Sequence, residues 1–498
     1  MNTPPNFLPA YKPSLQQKAA AICVLTGALI IFRFKALAQL GAAYLGGVAG
    51  DGGLYIWLMR GCFERLSELA WFNTFPFFPY SLGLAWSDNF LLPSLVGSLF
   101  IQLGMSDELS YNLILLGASA LSGYFTFALT FRLCGIFIAA LNSALAFMLL
   151  SYFSAHLGHP QLQFAFWLPL GTILLFSFLS HRKFLSALNF GFVCFLTFIT
   201  TVHFSIFLIL LAASLLLGVR LLRPAHFNIA DFAKFSGGAA LGLSPILFVL
   251  SPYLEVKDTF GPRHLYEAYY FSANFLSYLA STPFNLLYSW TNSFSHSEAQ
   301  LFPGLVIVIL SLLAARHVGG TKQLTSYRYL FLSCFSLSAI TSLPVFSNTI
   351  VSRPWALYLS SLFLWCALAS AAALLFRLGQ LERRLGSEIL TNRAVVALFL
   401  FGALVFYSIS LGPLGNPAKG DFATGPFALL HLILPGFDSL RAVGRCGIVV
   451  LVCLCVCISF PLGRWSRRGK AASWQVAIIG ALIALENFNL DYPIETLP

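Results

Sequence analysis

The stretch FLLPSLVGSLFIQLG at residues 90–104 decides how the chain is threaded. In a helix it reaches only ~22 Å, against the ~30 Å of a hydrocarbon core, and Pro93 and Gly97 interrupt it. Other apolar runs read as crossings at 19–40, 111–131, 136–154, 163–180, 185–201, 204–222, 233–252, 301–316, 328–346, 356–378, 393–411, 446–463 and 472–488. That makes about thirteen transmembrane helices. If 90–104 also crossed, the loops holding Arg182 and Lys183, Arg220 and Arg223, Arg383 and Arg384, and 464–470 would all lie outside. If it lies in the interface they all lie inside, which is where Lys and Arg collect in membrane proteins. We therefore expect 90–104 on the outer surface, a cytoplasmic tail at 1–18, a polytopic domain at 19–488 and a short outer tail at 489–498, with no soluble C-terminal domain.

Composition demands this solvent. Of 498 residues, 58% are hydrophobic and only 9% charged, whereas a soluble domain carries about 25% charged residues. The mean hydropathy is +0.81. The net charge of +11 would suggest nucleic acid in a soluble chain, but the threading explains it without one. Of 29 basic residues 19 fall inside, and of 18 acidic residues 15 fall outside. We expect no nucleic-acid partner. Ten cysteines are present, mostly within apolar runs, and Cys453, Cys455 and Cys457 read as small core thiols around one helix. Residues 1–18 are polar and Pro-rich and no small-residue cleavage site follows the first apolar run, so no cleavable signal peptide is expected.

The threading leaves four informative outer loops, at 41–110, 154–163, 253–300 and 412–445, while the inner loops are short and basic. Asp51, in the glycine-rich turn GGVAGDGG, is a candidate general base or metal-holding acid, or else a helix cap. Asp88, in WSDN, carries the same ambiguity. His156 and His159, with Gln161 and Gln163 in HLGHPQLQ, suit metal binding, hydrogen bonding to a sugar or phosphate, or interfacial structure. A possible divalent metal would draw on Asp51, Asp88 and His159. Arg263, Arg441 and Arg445 are outer-face cations, fit for a lipid phosphate or for pairing with outer acids such as Asp438. His203, in TTVH, reads as a satisfied core histidine. No Walker A loop, dinucleotide fingerprint, HExxH, GxSxG or CxxC set occurs, so ATP-driven transport, nicotinamide redox chemistry and serine hydrolysis have no support.

Taken in order, GDGGLYIW, FNTFPFFPYSLGLAWSDNFLLPSLVGSLF, ELSYNLILLGASALSGYFTFALTFRLCG, HLGHPQLQFAFWLPL, SANFLSYLASTPFN, LFPGLVIVIL, LGPLG and LILPGFDSLRAVGRCG resemble bacterial polytopic membrane proteins of the GT-C glycosyltransferase superfamily, over nearly the whole chain. The resemblance implies an all-α bundle with a structured first outer loop. It implies transfer of a sugar from a polyprenyl-phosphate carrier to a glycan, lipid or protein acceptor outside the bacterial inner membrane. Asp51 matches the acid of the first outer loop and Asp88 a second acidic position. Where the superfamily often has two adjacent acids, this chain continues with Gly52 and Gly53.

The reaction expected from this is inverting: Asp51 takes the proton of an acceptor hydroxyl while Arg263, Arg441 or Arg445 stabilises the departing phosphate, with His156, His159 and Gln163 binding substrate. A transporter or flippase of lipid-linked saccharides shares the carrier and the many spans, but would line its path with polar residues inside central helices. A non-catalytic component of envelope polysaccharide assembly is a third reading, raised by the missing C-terminal domain. No internal repeat is evident, which speaks against a transporter built from two related halves.

Overall fold

The computed structural model describes residues 9–48, 50–74, 79–224, 227–318, 322–341, 353–384, 389–417, 420–434 and 436–496. Among these the chain is all-α apart from one pair of two-residue strands. Eight helices are long and apolar enough to cross a membrane: Leu15–Phe32, Asp107–Cys134, Phe137–Ala155, Val202–Leu222, Ile229–Phe260, Trp355–Arg384, Asn392–Ser410 and Val443–Ser466.

The remaining expected crossings fold as shorter or more polar helices. The runs at 163–180 and 185–201 become Trp167–His181 and Phe184–Phe198, of 15 residues each, and 301–316 becomes Leu305–Val318, of 14. A helix needs about 20 residues to cross perpendicularly, and turns at 164–166 and 199–201 consume the difference. The run at 472–488 forms Lys470–Glu486, of 17 residues. The run at 328–346 lies within Lys322–Thr341, whose first half is polar, and its last residues fall outside the described ones. The segment 90–104 forms Leu91–Gln102, twelve residues long. At ~18 Å it is too short to span.

Packing sorts the helices by sequence. Asn392–Ser410 and Gly447–Ser466, rich in small and β-branched residues, pack on each other at the centre, the second also against Phe137–Met148, and are buried along most of their lengths. Cys453, Cys455 and Cys457 are buried there as free thiols. Leu15–Phe32 and Ile229–Leu243 lie at the periphery, with Ile30, Ile31, Phe232 and Leu241 exposed, as a lipid-facing surface permits.

The two ends of the bundle differ in chemistry. At one end the four long loops interlock: Ala273 N–H donates to Ser410 O (2.8 Å), Gly444 N–H to Phe271 O (2.9 Å), and Lys257 pairs with Asp438 (2.8 Å). The far end of Val202–Leu222 carries the basic loops, where Arg223 pairs with Glu382 (3.0 Å) and Arg182 with Asp231 (3.7 Å).

The strand pair closes the loop-rich end. Tyr44–Leu45 runs antiparallel to Ile494–Glu495, with Tyr44 opposite Glu495 and Leu45 opposite Ile494. Gly46 N–H donates to Pro493 O (2.8 Å) and Val48 N–H to the Glu495 carboxylate (3.0 Å). Lys35 pairs with Asp491 (3.2 Å), and the Arg33 guanidinium lies 4.9 Å from the Tyr492 ring.

Candidate functional site

The turn GGVAGDGG places Asp51 through its glycines. Gly46 has φ +92°, and a Cβ there would lie 2.3 Å from Leu157 O, so only glycine lets the first loop touch the 154–163 loop. Gly50, at φ +66°, ends the turn, and Asp51 opens the helix Asp51–Arg60, where free N–H groups favour a carboxylate. A Cβ on Gly52 would meet Gly47 O at 2.4 Å and one on Gly53 would meet Val48 O at 2.6 Å. A second acid after Asp51 has no room.

Asp51 is the outer member of a charged chain drawn from four segments. Its Oδ2 accepts from His159 Nδ1 (2.8 Å) and Gln161 Nε2 (3.0 Å). His159 Nε2 faces Glu298 Oε1 at 3.1 Å. Arg445 grips Glu298 from behind, with Nε on Oε2 (2.8 Å) and Nη2 on Oε1 (3.1 Å), a bidentate pair in which both side chains are largely buried. Two carboxylates and two cations thus alternate.

Electrostatics fix the protonation of this chain. Burial pulls the His159 imidazole down, but the hydrogen bonds with Asp51 and Glu298 outweigh it and raise its pKa to about 9. At neutral pH His159 is therefore an imidazolium donating to both carboxylates. Burial pushes the Asp51 carboxyl up, and the His159 and Gln161 hydrogen bonds overcome this, leaving it below the ordinary carboxylate range. Glu298 is held well below that range: burial opposes ionisation, while His159 and Arg445 enforce it. The Asp51 side chain keeps 30% of its exposure, and no described donor reaches Oδ1. The buried Gln161 Oε1 has no protein partner.

His156 and Gln163 sit behind this chain and shape it. His156 is buried, its Nδ1 on Tyr152 O (2.9 Å), and burial lowers its pKa to about 4, so it is neutral. Gln163, also buried, donates to Phe153 O and His156 O, both at 3.0 Å. With Gly158 and Pro160 breaking the helix, these bonds hold the turn that presents His159.

Asp88 lies in a second polar centre, 2% exposed. Its Oδ1 accepts from Val202 N–H (2.6 Å) and Thr201 Oγ1 (3.1 Å), and His203 Nδ1 lies 3.3 Å from Oδ2. It caps Val202–Leu222 from another segment. Burial pushes its carboxyl up, and contacts with His203, the Arg445 charge and the Val202 N–H more than compensate, leaving it lowered.

Arg263 and Arg441 lie apart from both centres. Arg263 donates to Trp86 O, sits 4.8 Å from the Trp86 ring centroid and faces Glu267 at 3.4 Å. Arg441 is exposed, lies 5.1 Å from the Phe271 ring centroid and makes no ion pair among the described residues. Burial lowers the Arg263 pKa, and the nearby Arg441 charge lowers it further, so the two cations are neighbours. Asp438 pairs with Lys257 rather than with an arginine.

Sequence reasoning missed Glu298, an acid in SHSEAQ shortly before an apolar run. The available signal was its position beside a span in an outer loop, the feature that marked the arginines. Of the metal-holding group considered at Asp51, Asp88 and His159, the structure brings Asp51 and His159 together and leaves Asp88 elsewhere. Both His159 nitrogens face carboxylates, Asp88 belongs to the other centre, and no metal-holding cluster of His, Cys, Asp and Glu occurs among the described residues. Comparison of the chain with family models, curated proteins and solved structures finds no match.

Proposed function

We propose that the chain is a membrane glycosyltransferase that moves a sugar from a polyprenyl-phosphate carrier to an acceptor hydroxyl at the loop-rich end, taken as the outer face of the bacterial inner membrane. The observation that carries this reading is the partly exposed Asp51, held by one oxygen in an ordered charge chain and open at the other. A carboxylate so held is ionised at neutral pH and fixed in direction, which suits a general base. The GT-C resemblance and the thirteen-helix threading belong to this proposal.

In the reaction the acceptor oxygen attacks the anomeric carbon as its proton passes to Asp51 Oδ1, and the bond from that carbon to the phosphate oxygen breaks. The low basicity of Asp51 fits late proton transfer, after the bond to phosphate has lengthened and the hydroxyl has become acidic. Negative charge builds on the leaving phosphate, and the outer-loop cations Arg441 and Arg263 are the candidates to meet it. Arg445 is engaged with Glu298 and stabilises the chain instead.

The test is consumption of labelled polyprenyl-phosphate sugar by purified Asp51→Asn against wild type. Loss of roughly 100- to 10,000-fold is expected, the range of a general base. Consumption at the wild-type rate sinks the assignment. Movement of unchanged carrier across reconstituted vesicles, with no sugar transferred, replaces it with a flippase.

A further inference from the structure

A membrane-facing groove of about 630 Å³ runs between the helices Phe184–Phe198, Val202–Leu222 and Ile229–Leu243. Phe190, Ile209, Leu216 and Phe235 line it, the small Ala213 makes room on its wall, and Gly191 lets the first and third helices approach closely, since a Cβ there would lie 1.9 Å from Ala239 O. Ile209 and Leu217 are 42% and 52% exposed, so the groove opens sideways to lipid. Its one charged lining residue, Arg220, lies at one end with Asn228, and Ser236 is the hydroxyl further along.

The groove's length and its charge identify an occupant. Ile209 and Arg220 lie eleven residues apart on one helix, which is ~16 Å of rise. One leaflet of a ~30 Å hydrocarbon core is ~15 Å deep. The groove therefore covers a single leaflet, whereas a partner helix would need a seat across both. At its end the exposed Arg220 donates to Pro224 O and makes no ion pair with a described carboxylate. The nearest acid in sequence, Asp231, is committed to Arg182 (3.7 Å) and to its capping box with Asn228. An uncompensated guanidinium at headgroup depth favours a phosphate.

We propose that this groove binds one anionic phospholipid of the leaflet at the basic end, with an acyl chain along Phe190 to Phe235 and the phosphate on Arg220. The inference rests on the membrane character of the helices and not on the transferase reading.

Delipidated, full-length protein in detergent would be titrated with phosphatidylglycerol and with phosphatidylcholine, and bound lipid counted by native mass spectrometry. One phosphatidylglycerol should bind ahead of all others, about fivefold more tightly than phosphatidylcholine, whose phosphate is already offset by its own ammonium and gains less from Arg220. Arg220→Gln should remove that preference and Arg220→Lys largely retain it. Ala213→Trp, or Ala240→Phe on the opposite wall, should remove the first site for both lipids. Both alanines are exposed, and an unchanged melting temperature confirms that the variants fold. A first site indifferent to headgroup, unchanged in Arg220→Gln or unchanged in both filled variants overturns the proposal. So does a dimer of the delipidated protein that Ala213→Trp dissolves, because the groove then seats a second copy.

Discussion

Asp51 and Asp88 are the same residue type in the same long loop, each beside a histidine, yet the molecule uses them differently. Asp88 is almost wholly buried, and its oxygens meet a backbone N–H, a hydroxyl and His203, so it terminates a helix. Asp51 begins its own helix, is held through one oxygen by His159 and Gln161, and keeps part of its surface open. An acid whose lone pairs are consumed by the fold supports structure. One with a fixed direction and an open oxygen is equipped for chemistry.

The contrast can be broken by measurement. The largest effect on stability is expected where neither aspartate is touched: Glu298→Ala leaves the buried Arg445 unpaired and should cost about 3–5 kcal/mol. Thermal unfolding in detergent reads this, and a loss below 1 kcal/mol denies Glu298 its central place. Asp88→Ala orphans the Val202 N–H and the Thr201 hydroxyl and should cost about 2 kcal/mol. Asp51→Asn should cost less than about 1 kcal/mol, because its ion pair is partly solvated. If Asp51→Asn proves the more destabilising of the two, the division of roles is reversed.

The smallest effect concerns pH. The His159 pKa is raised from 6.5 to about 9 in the folded chain, so its stabilising contribution is complete below 6.5 and is lost as pH rises through about 9. The lowered carboxyls of Asp51 and Glu298 act in the opposite sense, contributing above their ordinary range and failing on acidification. Melting temperature should therefore decline between pH 6.5 and 9 in wild type, and Glu298→Gln should flatten that decline. An equal slope in the variant separates His159 from Glu298.

Much of the fold class was legible because lipid as a solvent writes itself into composition, and the interruptions in 90–104 marked a helix too short to cross. Helix lengths were less legible. Turns such as 199–201, Ile-Thr-Thr, hold no Gly or Pro to mark them, and it is Asp88, from another segment, that fixes where Val202–Leu222 begins. At the candidate site, the glycine-rich turn pointed to Asp51 and the histidine pair in HLGHPQLQ to His159. Glu298 was hidden because its partners, His159 and Arg445, come from segments more than a hundred residues away on either side. A one-dimensional pattern holds no trace of such a pairing.

The strand pair at the loop-rich end has a consequence for biogenesis. Glu495 holds the turn leading to Asp51 from 447 positions downstream of Val48. Contacts of such sequence separation form late. The turn emerges long before Glu495 and acquires this restraint only after the helix Lys470–Glu486 has been placed, so a partly inserted chain carries an unfinished site.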